Sequence, residues 1–144
     1  MHNCIYCKIT EKREDAHFVY EDDTFCAFLH PMPINHGHVI LTPIKHTTSL
    51  TMLEDDEYGE IHKIAKKIAV ALLKTKEYDG FHIQYNHGEC AGQDCGHGAL
   101  HIIPRVGTDG FYLNWRKQKA ASEQNCQELA SFLNSKIKND SRAQ

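Results

Sequence analysis

The sequence predicts an α+β fold, in which a five-stranded antiparallel sheet accompanies one long central helix and a helix near the C-terminus. Short segments rich in β-branched and aromatic residues lie early and late in the chain, on either side of one long stretch with helical periodicity. The chain has 144 residues, of which 41% are hydrophobic and 24% are charged, as is typical of a globular protein with one core. We therefore predict a single domain over residues 1–144, with a disordered tail after about residue 138.

The first three predicted strands lie in the N-terminal third of the chain. Residues 18–21 and 24–29 favour strands, and the two aspartates between them predict a hairpin. Pro31 and Pro33 then interrupt the pattern and predict a loop. Residues 38–42 favour a third strand, which we expect Pro43 to end.

The long helix is predicted from about Glu54 to Lys76. Acidic residues lie near its start and lysines near its end, which suits the helix dipole. Apolar residues recur there at intervals of three and four: Tyr58, Ile61, Ile64, Ala65, Ile68, Ala69, Leu72 and Leu73.

Two more strands and a last helix follow Gly80. Residues 81–86 favour the fourth strand and residues 99–103 the fifth, which we expect Pro104 to end. A glycine-punctuated loop over residues 88–98 separates them. The last helix is predicted over about residues 122–137, from the apolar face of an amphipathic pattern.

Composition excludes several function classes. The net charge is -3 and the pI is about 6.4, so we expect no specific nucleic-acid polymer as partner. No apolar stretch is long enough to cross a membrane, and the N-terminus does not resemble a signal peptide, so we expect a cytoplasmic protein. In that compartment the six cysteines are expected to be thiols or metal ligands rather than disulfides.

The chemistry is concentrated in residues 86–105. If the end of this segment is extended, then His97, Ala99 and His101 share one face, whereas Leu100 and Ile102 point to the other. The glycines upstream leave a backbone whose N–H groups can surround an anion. This combination predicts a phosphate group held over two histidines.

The same segment resembles the signature of the histidine triad (HIT) family, written His-φ-His-φ-His-φ-φ, with Ala99 at the middle position. Residues 35–45, with Asn35, Gly37, His38 and Pro43, and residues 109–115, ending in Asn114 and Trp115, resemble two further blocks of that family. The resemblance implies the HIT-like fold, a nucleotide or nucleoside phosphate as ligand, and a homodimer. It also implies hydrolysis or nucleotidyl transfer at the α-phosphate of nucleoside phosphoramidates or dinucleoside polyphosphates.

In that family the middle histidine is the nucleophile and forms a nucleotidyl-histidine intermediate. Alanine has no lone pair with which to attack phosphorus, so we expect this chain to bind its ligand and scarcely turn it over. Two explanations of Ala99 stay open. Either the alanine is a substitution made to trap a ligand, which the otherwise intact site favours, or the chain is a natural non-catalytic nucleotide-binding or sensor protein.

The resemblance also assigns roles to other residues. The catalytic set is Ala99 at the nucleophile position, His101, His97 and Asn86. An apolar slot for the base is implied at Ile5, Tyr6 and Phe28, and His30 lies where the family places a carboxylate against the ribose. The phosphate contacts implied are Asn86, Gly92, Gln93, Asp94 and His101. Asp94 is unusual, because a carboxylate repels phosphate unless it is turned away.

A zinc site is predicted at the N-terminus. Cys4 and Cys7 have the CxxC spacing, and related proteins complete such a Cys2His2 site with residues at the positions of His46 and His97. The alternative is an N-terminus without metal and with two ordinary thiols. Cys90 and Cys95 lie on the phosphate loop, where we consider them candidates for oxidation.

Overall fold

The computed structural model describes residues 3–111, 120 and 122–142. The predicted sheet is confirmed, with five strands in the order β1-β2-β3-β5-β4 and antiparallel pairing between all neighbours. The strands are β1 (Phe18–Glu21), β2 (Phe25–Leu29), β3 (Val39–Pro43), β4 (Gly80–Tyr85) and β5 (Leu100–Arg105), and the helices are α1 (Ile5–Thr10), α2 (Asp55–Lys74) and α3 (Glu123–Arg142).

The chain divides into two compact units, residues 1–110 and residues 111–144. The first unit contains the sheet, α1 and α2, and the second contains α3. The extension of one domain over all 144 residues stays a prediction. In the described part of the chain, no helix is long and apolar enough to cross a membrane.

Helix α2 is the predicted long helix, shortened by one residue at its start and two at its end. The Glu57 carboxylate accepts a hydrogen bond from the Glu54 N–H (3.3 Å), which satisfies one of the N–H groups left free where a helix begins. Its inward face buries Ile61, Ile64, Ala65 and Ala69 completely. The three-and-four spacing of the sequence therefore identified the buried face.

The sheet separates two apolar clusters. The helix-side cluster packs α2 against one face of the sheet through Leu41, Leu100 and Ile102. The N-terminal cluster covers the opposite face and comprises Tyr6, Ile9, Cys26, Phe28, Ile40 and Ala99. Successive residues of β3 alternate between the two clusters, because side chains along a strand point to opposite faces.

Helix α1 was not predicted. It has only six residues, too few for a hydrophobic period to show, and so short a helix depends on its packing. Cys4 caps its N-terminus, where the sulfur accepts a hydrogen bond from the Cys7 N–H (3.4 Å). The helix buries Tyr6, Cys7 and Ile9 and thereby supplies one side of the N-terminal cluster.

The prediction that Pro104 ends β5 was wrong, since the strand continues to Arg105. Strand β3 pairs with β5 only as far as Ile102, so beyond that point β5 has β4 as its one partner. The Pro104 carbonyl accepts a hydrogen bond from Asn35 Nδ2 (3.0 Å) rather than from β4. The ring nitrogen faces that same side, and its missing N–H removes no hydrogen bond from the sheet.

Helix α3 extends five residues beyond its predicted end at Ile137. Its apolar residues Leu129, Phe132, Leu133 and Ile137 are exposed. The predicted family block that ends at Asn114 and Trp115 lies partly outside the described residues, because residues 112–119 are not among them.

Candidate functional site

The segment that precedes β5 is held by hydrogen bonds to the Thr42 side chain on β3 and to the main chain of Thr47. Gly98 N–H donates to the Thr47 carbonyl (2.6 Å), and Thr42 Oγ1 donates to the Gly98 carbonyl (2.9 Å). A Cβ atom on Gly98 would lie 2.8 Å from the Leu50 nitrogen, so this contact requires glycine. The segment is thereby fixed before the sheet pairing starts at Leu100.

The predicted alternation of side chains is present. Leu100 and Ile102 belong to the helix-side cluster, whereas Ala99 belongs to the N-terminal cluster with 6% of its surface exposed. The His97 ring lies 6.0 Å from the Tyr6 ring in that same region. His101 points to the same side of the sheet and faces His38.

Four predicted metal ligands converge. The ligand atoms of Cys4, Cys7, His46 and His97 all lie within 4.8 Å of one another. Cys7 Sγ lies 3.1 Å from His46 Nδ1 and 3.5 Å from His97 Nδ1, and Cys4 Sγ lies 3.4 Å from His97 Nδ1. Sulfur and nitrogen ligands of one tetrahedral zinc ion are about 3.6 Å apart, given the usual zinc–ligand distances. The four residues therefore fit a zinc ion.

A main-chain contact fixes the tautomer of His97 that a metal ion requires. His97 Nε2 lies 2.9 Å from the Pro43 carbonyl, which can only accept, so Nε2 carries the proton. Nδ1 is then unprotonated, and its lone pair faces the two sulfurs. Burial lowers the pKa of His97, which favours this neutral form. A carbonyl that fixes the second nitrogen is the usual support of a metal-binding histidine.

A hollow of about 270 Å³ lies beside the sheet, next to His101. Five of the residues predicted to bind the ligand line it, together with His38 and Gln84. The five are His30, Asn86, Gly92, Asp94 and His101. His30 directly follows β2, His38 directly precedes β3, Gln84 lies on β4 and His101 lies on β5. The order of the strands brings these residues together with the glycine loop.

A chain of hydrogen bonds determines which nitrogens of this hollow carry protons. The Ile34 N–H donates to His38 Nδ1 (3.2 Å), so that neutral His38 carries its proton on Nε2. His38 Nε2 lies 3.0 Å from His101 Nδ1 and donates to it. The proton of neutral His101 is therefore on Nε2. The Met32 N–H donates to His30 Nδ1 (3.0 Å), and the same reasoning places the His30 proton on Nε2.

These three histidines are neutral at physiological pH. Burial, together with the neighbouring His30 and His101, lowers the pKa of His38 to about 3. Burial also lowers the pKa values of His30 and His101, although the Asp94 carboxylate opposes this. The hollow therefore presents two neutral N–H donors, from His30 and His101. Asp94 lines the hollow as well, and its charge acts on both histidines.

The glycine loop is braced by side chains that were predicted to contact phosphate. The amide of Gln93 donates to the Thr48 and Cys95 carbonyls and accepts from the Gly88 N–H. Asn86 Nδ2 donates to the Gly92 carbonyl (3.2 Å), where Gly92 has a positive φ of 85° that favours glycine. Both amides thus shape the loop.

The predicted slot for the base is more enclosed than expected. Phe28 is completely buried, and its ring packs edge-on against Tyr6 at 5.7 Å. Tyr6 is 6% exposed, whereas Ile5 is 42% exposed. None of the three lines the hollow described above, so their role in binding a base stays a prediction.

Two parts of this region were not predicted from the sequence. His38 was assigned no role, although it orients His101. Ser49 also escaped notice, although its hydroxyl lies 2.9 Å from Tyr85 Oη and 3.1 Å from His87 Nδ1. The Leu50 N–H donates to Tyr85 Oη (3.0 Å), so this cluster ties the start of the glycine loop to the segment before α2. Ser49 and Tyr85 are 36 positions apart, and no local sequence pattern predicts contact between them.

The fold and the site define a small α+β protein with a Cys2His2 cluster beside a hollow lined by histidines. The family model of the HIT domain matches residues 11–108. The chain therefore belongs to the HIT family, as its signature predicted.

Individual relatives agree with this assignment. An uncharacterized HIT-like protein of Methanocaldococcus jannaschii is 42% identical over 116 residues, which are 81% of this chain and 89% of that one. The crystal structure of a histidine triad nucleotide-binding protein from Candida albicans matches with a TM-score of 0.82 and 26% identity, over 95% of this chain and 99% of that one. A Zn-bound histidine triad family protein from Mycobacterium smegmatis matches with a TM-score of 0.70 and 29% identity, over 83% and 85% of the two chains.

Proposed function

We propose that this protein binds a nucleotide or nucleoside phosphate in the hollow beside His101. The observation that carries the proposal is the pair of oriented N–H donors at His30 Nε2 and His101 Nε2, opposite the glycine loop. Phosphate oxygens accept such hydrogen bonds, and the main-chain N–H groups of a glycine loop add to them. The structural relative from Candida albicans is a nucleotide-binding protein, which supports this ligand class.

We infer that the scaffold is a hydrolase or nucleotidyl transferase that lacks its nucleophile. In the proposed reaction a histidine at position 99 attacks the α-phosphorus, the amine or polyphosphate group leaves, and water then displaces the histidine. The Ala99 methyl group cannot form that bond. His101 does not replace the nucleophile, because its Nδ1 accepts a hydrogen bond from His38 and its Nε2 carries the proton. Substrates of this chemistry are nucleoside phosphoramidates and dinucleoside polyphosphates. The alternative is a natural protein that binds nucleotides without turnover.

The variant Ala99→His tests the enzyme proposal, with Ala99→Gln as a matched control of similar polarity without a nucleophile. We expect Ala99→His to hydrolyse a nucleoside phosphoramidate or a dinucleoside polyphosphate at least about a hundredfold faster than the parent chain. Ala99→Gln is expected to stay at the parent rate. Calorimetric titration with a nucleoside monophosphate measures binding separately in all three proteins.

The outcomes separate the two functions. If Ala99→His is as inert as the parent across both substrate classes while the parent binds the nucleotide, the enzyme proposal fails and the binding protein remains. If the parent binds none of the nucleotides, the ligand proposal itself is wrong.

We infer a structural zinc ion at Cys4, Cys7, His46 and His97. Four protein ligands complete a tetrahedral site and leave no position open for a substrate. When bound, the metal would cross-link the start of the chain to the segment before β5. The Zn-bound relative from Mycobacterium smegmatis supports the choice of metal.

We also infer a homodimer in the cytoplasm. Strand β4 is an edge of the sheet, and Phe81 and Ile83 on one of its faces are 38% and 40% exposed. Val70 and Leu73 of α2 are similarly exposed, so an apolar surface is available to a second copy. All six cysteines, each within the described residues, are thiols, which suits a reducing compartment.

A further inference from the structure

A third cysteine side chain lies beside the four residues proposed to bind zinc. Cys95 Sγ is 3.9 Å from Cys4 Sγ, although the two residues are 91 positions apart in the sequence. Both side chains are only half-buried, so a small reagent can reach them. Cys95 is not one of the four residues that converge as metal ligands. The Cys95 thiol therefore lies next to a proposed zinc ligand, although it is not itself one of the four ligands of the proposed tetrahedral site.

The surroundings allow the two sulfurs to come together. A disulfide requires an S–S distance of about 2.05 Å, so the sulfurs must approach by roughly 2 Å. Cys95 lies on the glycine loop, where a Cβ atom added at Gly96 would meet nothing within 4 Å. Free space therefore lies beside the main chain next to Cys95, unlike at Gly98, where the main chain is tightly packed.

We propose that Cys4 and Cys95 are a redox modification site, at which a hydroperoxide converts the two thiols into a disulfide. Hydrogen peroxide accepts two electrons from the pair and oxidises one thiol to a sulfenic acid, with release of one water. The second thiol then attacks that sulfur, and a second water leaves as the S–S bond forms. A dithiol reductant reverses the step by thiol–disulfide exchange.

Cys7 is the competing partner for Cys4, and the structure disfavours it. Cys7 is 6% exposed, and its sulfur lies 3.1 Å from His46 Nδ1 and 3.5 Å from His97 Nδ1. An oxidant in solution therefore meets Cys4 and Cys95 first.

Oxidation would affect both the proposed zinc site and the ligand hollow. The disulfide removes Cys4 from the metal and leaves three ligands, so zinc is held more weakly. It also ties down the residue next to Asp94, which lines the hollow. The effect on zinc rests on the proposed zinc site, whereas disulfide formation rests only on the positions of the two thiols.

The experiment treats zinc-loaded and metal-free protein with hydrogen peroxide at a low molar excess and then blocks the remaining thiols. Intact mass and peptide mapping under non-reducing conditions identify the bond, and a chromophoric chelator follows zinc release. We expect a loss of about 2 Da, a peptide that joins Cys4 to Cys95, and recovery of both thiols with a dithiol reductant.

Two variants separate this site from general oxidation. Cys95→Ser is expected to abolish the cross-linked peptide and to slow zinc release at least about tenfold. Cys90→Ser, on the same loop but exposed, is expected to behave like the parent. A Cys4–Cys7 bond, or sulfinic acid at Cys95 with no cross-link in the parent chain, overturns the proposal. If the cross-link forms in a protein that binds no zinc, the redox site holds and the zinc proposal fails.

Discussion

Acidification is expected to destabilise this protein through one of its buried histidines, His38. In the folded state its pKa is lowered to about 3 by burial and by the neighbouring His30 and His101, whereas an unfolded histidine has a pKa of about 6.5. The unfolded state therefore binds the proton first as the pH falls. The stability that neutral His38 contributes is complete above about pH 6.5 and is lost progressively below it, down to about pH 3.

The magnitude follows from the proton balance. Between about pH 7 and about pH 4.5 the unfolded histidine becomes protonated while folded His38 stays neutral, which amounts to about 2.5 kcal/mol of unfolding free energy. Urea unfolding at both pH values, in the parent chain and in His38→Asn, isolates this contribution. The asparagine keeps an acceptor for the Ile34 N–H and cannot titrate. We expect the pH-dependent loss to be smaller in the variant by about 2.5 kcal/mol, and an equal loss in both proteins would refute the reasoning.

Three further predictions concern the metal, the assembly and the packing. Cys7→Ala is expected to abolish stoichiometric zinc binding and to lower Tm, while the control Cys90→Ala keeps one zinc ion per chain. Metal analysis measures the zinc content, and full zinc content in Cys7→Ala would contradict the proposed ligand set. Light scattering is expected to give about twice the 16.5 kDa chain mass, and Phe81→Glu to give monomers; a monomeric parent rules the interface out. Gly98→Ala should cost about 1–3 kcal/mol in urea unfolding because its Cβ meets the Leu50 nitrogen. On α2, the Cβ atom added by Gly59→Ala would meet nothing within 4 Å, so this substitution should raise the free energy of unfolding by about 0.5–1 kcal/mol. A stabilising Gly98→Ala with a destabilising Gly59→Ala would contradict the packing argument.

Much of the fold was predictable because its pattern is local. Strand β1 has the predicted bounds, and the other strands differ by a residue or two, since alternation and turn residues mark them directly. Pro104 could not be read correctly from the sequence alone. Whether a proline ends a strand depends on which side has a neighbour, and the early end of the β3 pairing is a tertiary feature.

The site was predictable to the extent that it follows from motifs. The four predicted metal ligands converge, although they come from three segments and only the CxxC spacing of Cys4 and Cys7 is local. The position of Cys95 beside Cys4 was not foreseen, because it depends on how the glycine loop returns to α1. The enclosure of Phe28 could not be anticipated either, since α1 itself was not predicted.

The loop before β3 has a consequence for how variation acts on this hollow. The main-chain N–H of Met32 determines the tautomer of His30, and the N–H of Ile34 determines that of His38 and thereby that of His101. The side chains at these two positions are 82% and 49% exposed, so most substitutions there keep the main-chain N–H groups and with them the two tautomers. Proline is the exception, because it has no N–H. A proline at position 34 would release the imidazole of His38 to exchange its proton between nitrogens, and His101 could then offer a lone pair where it now offers a hydrogen.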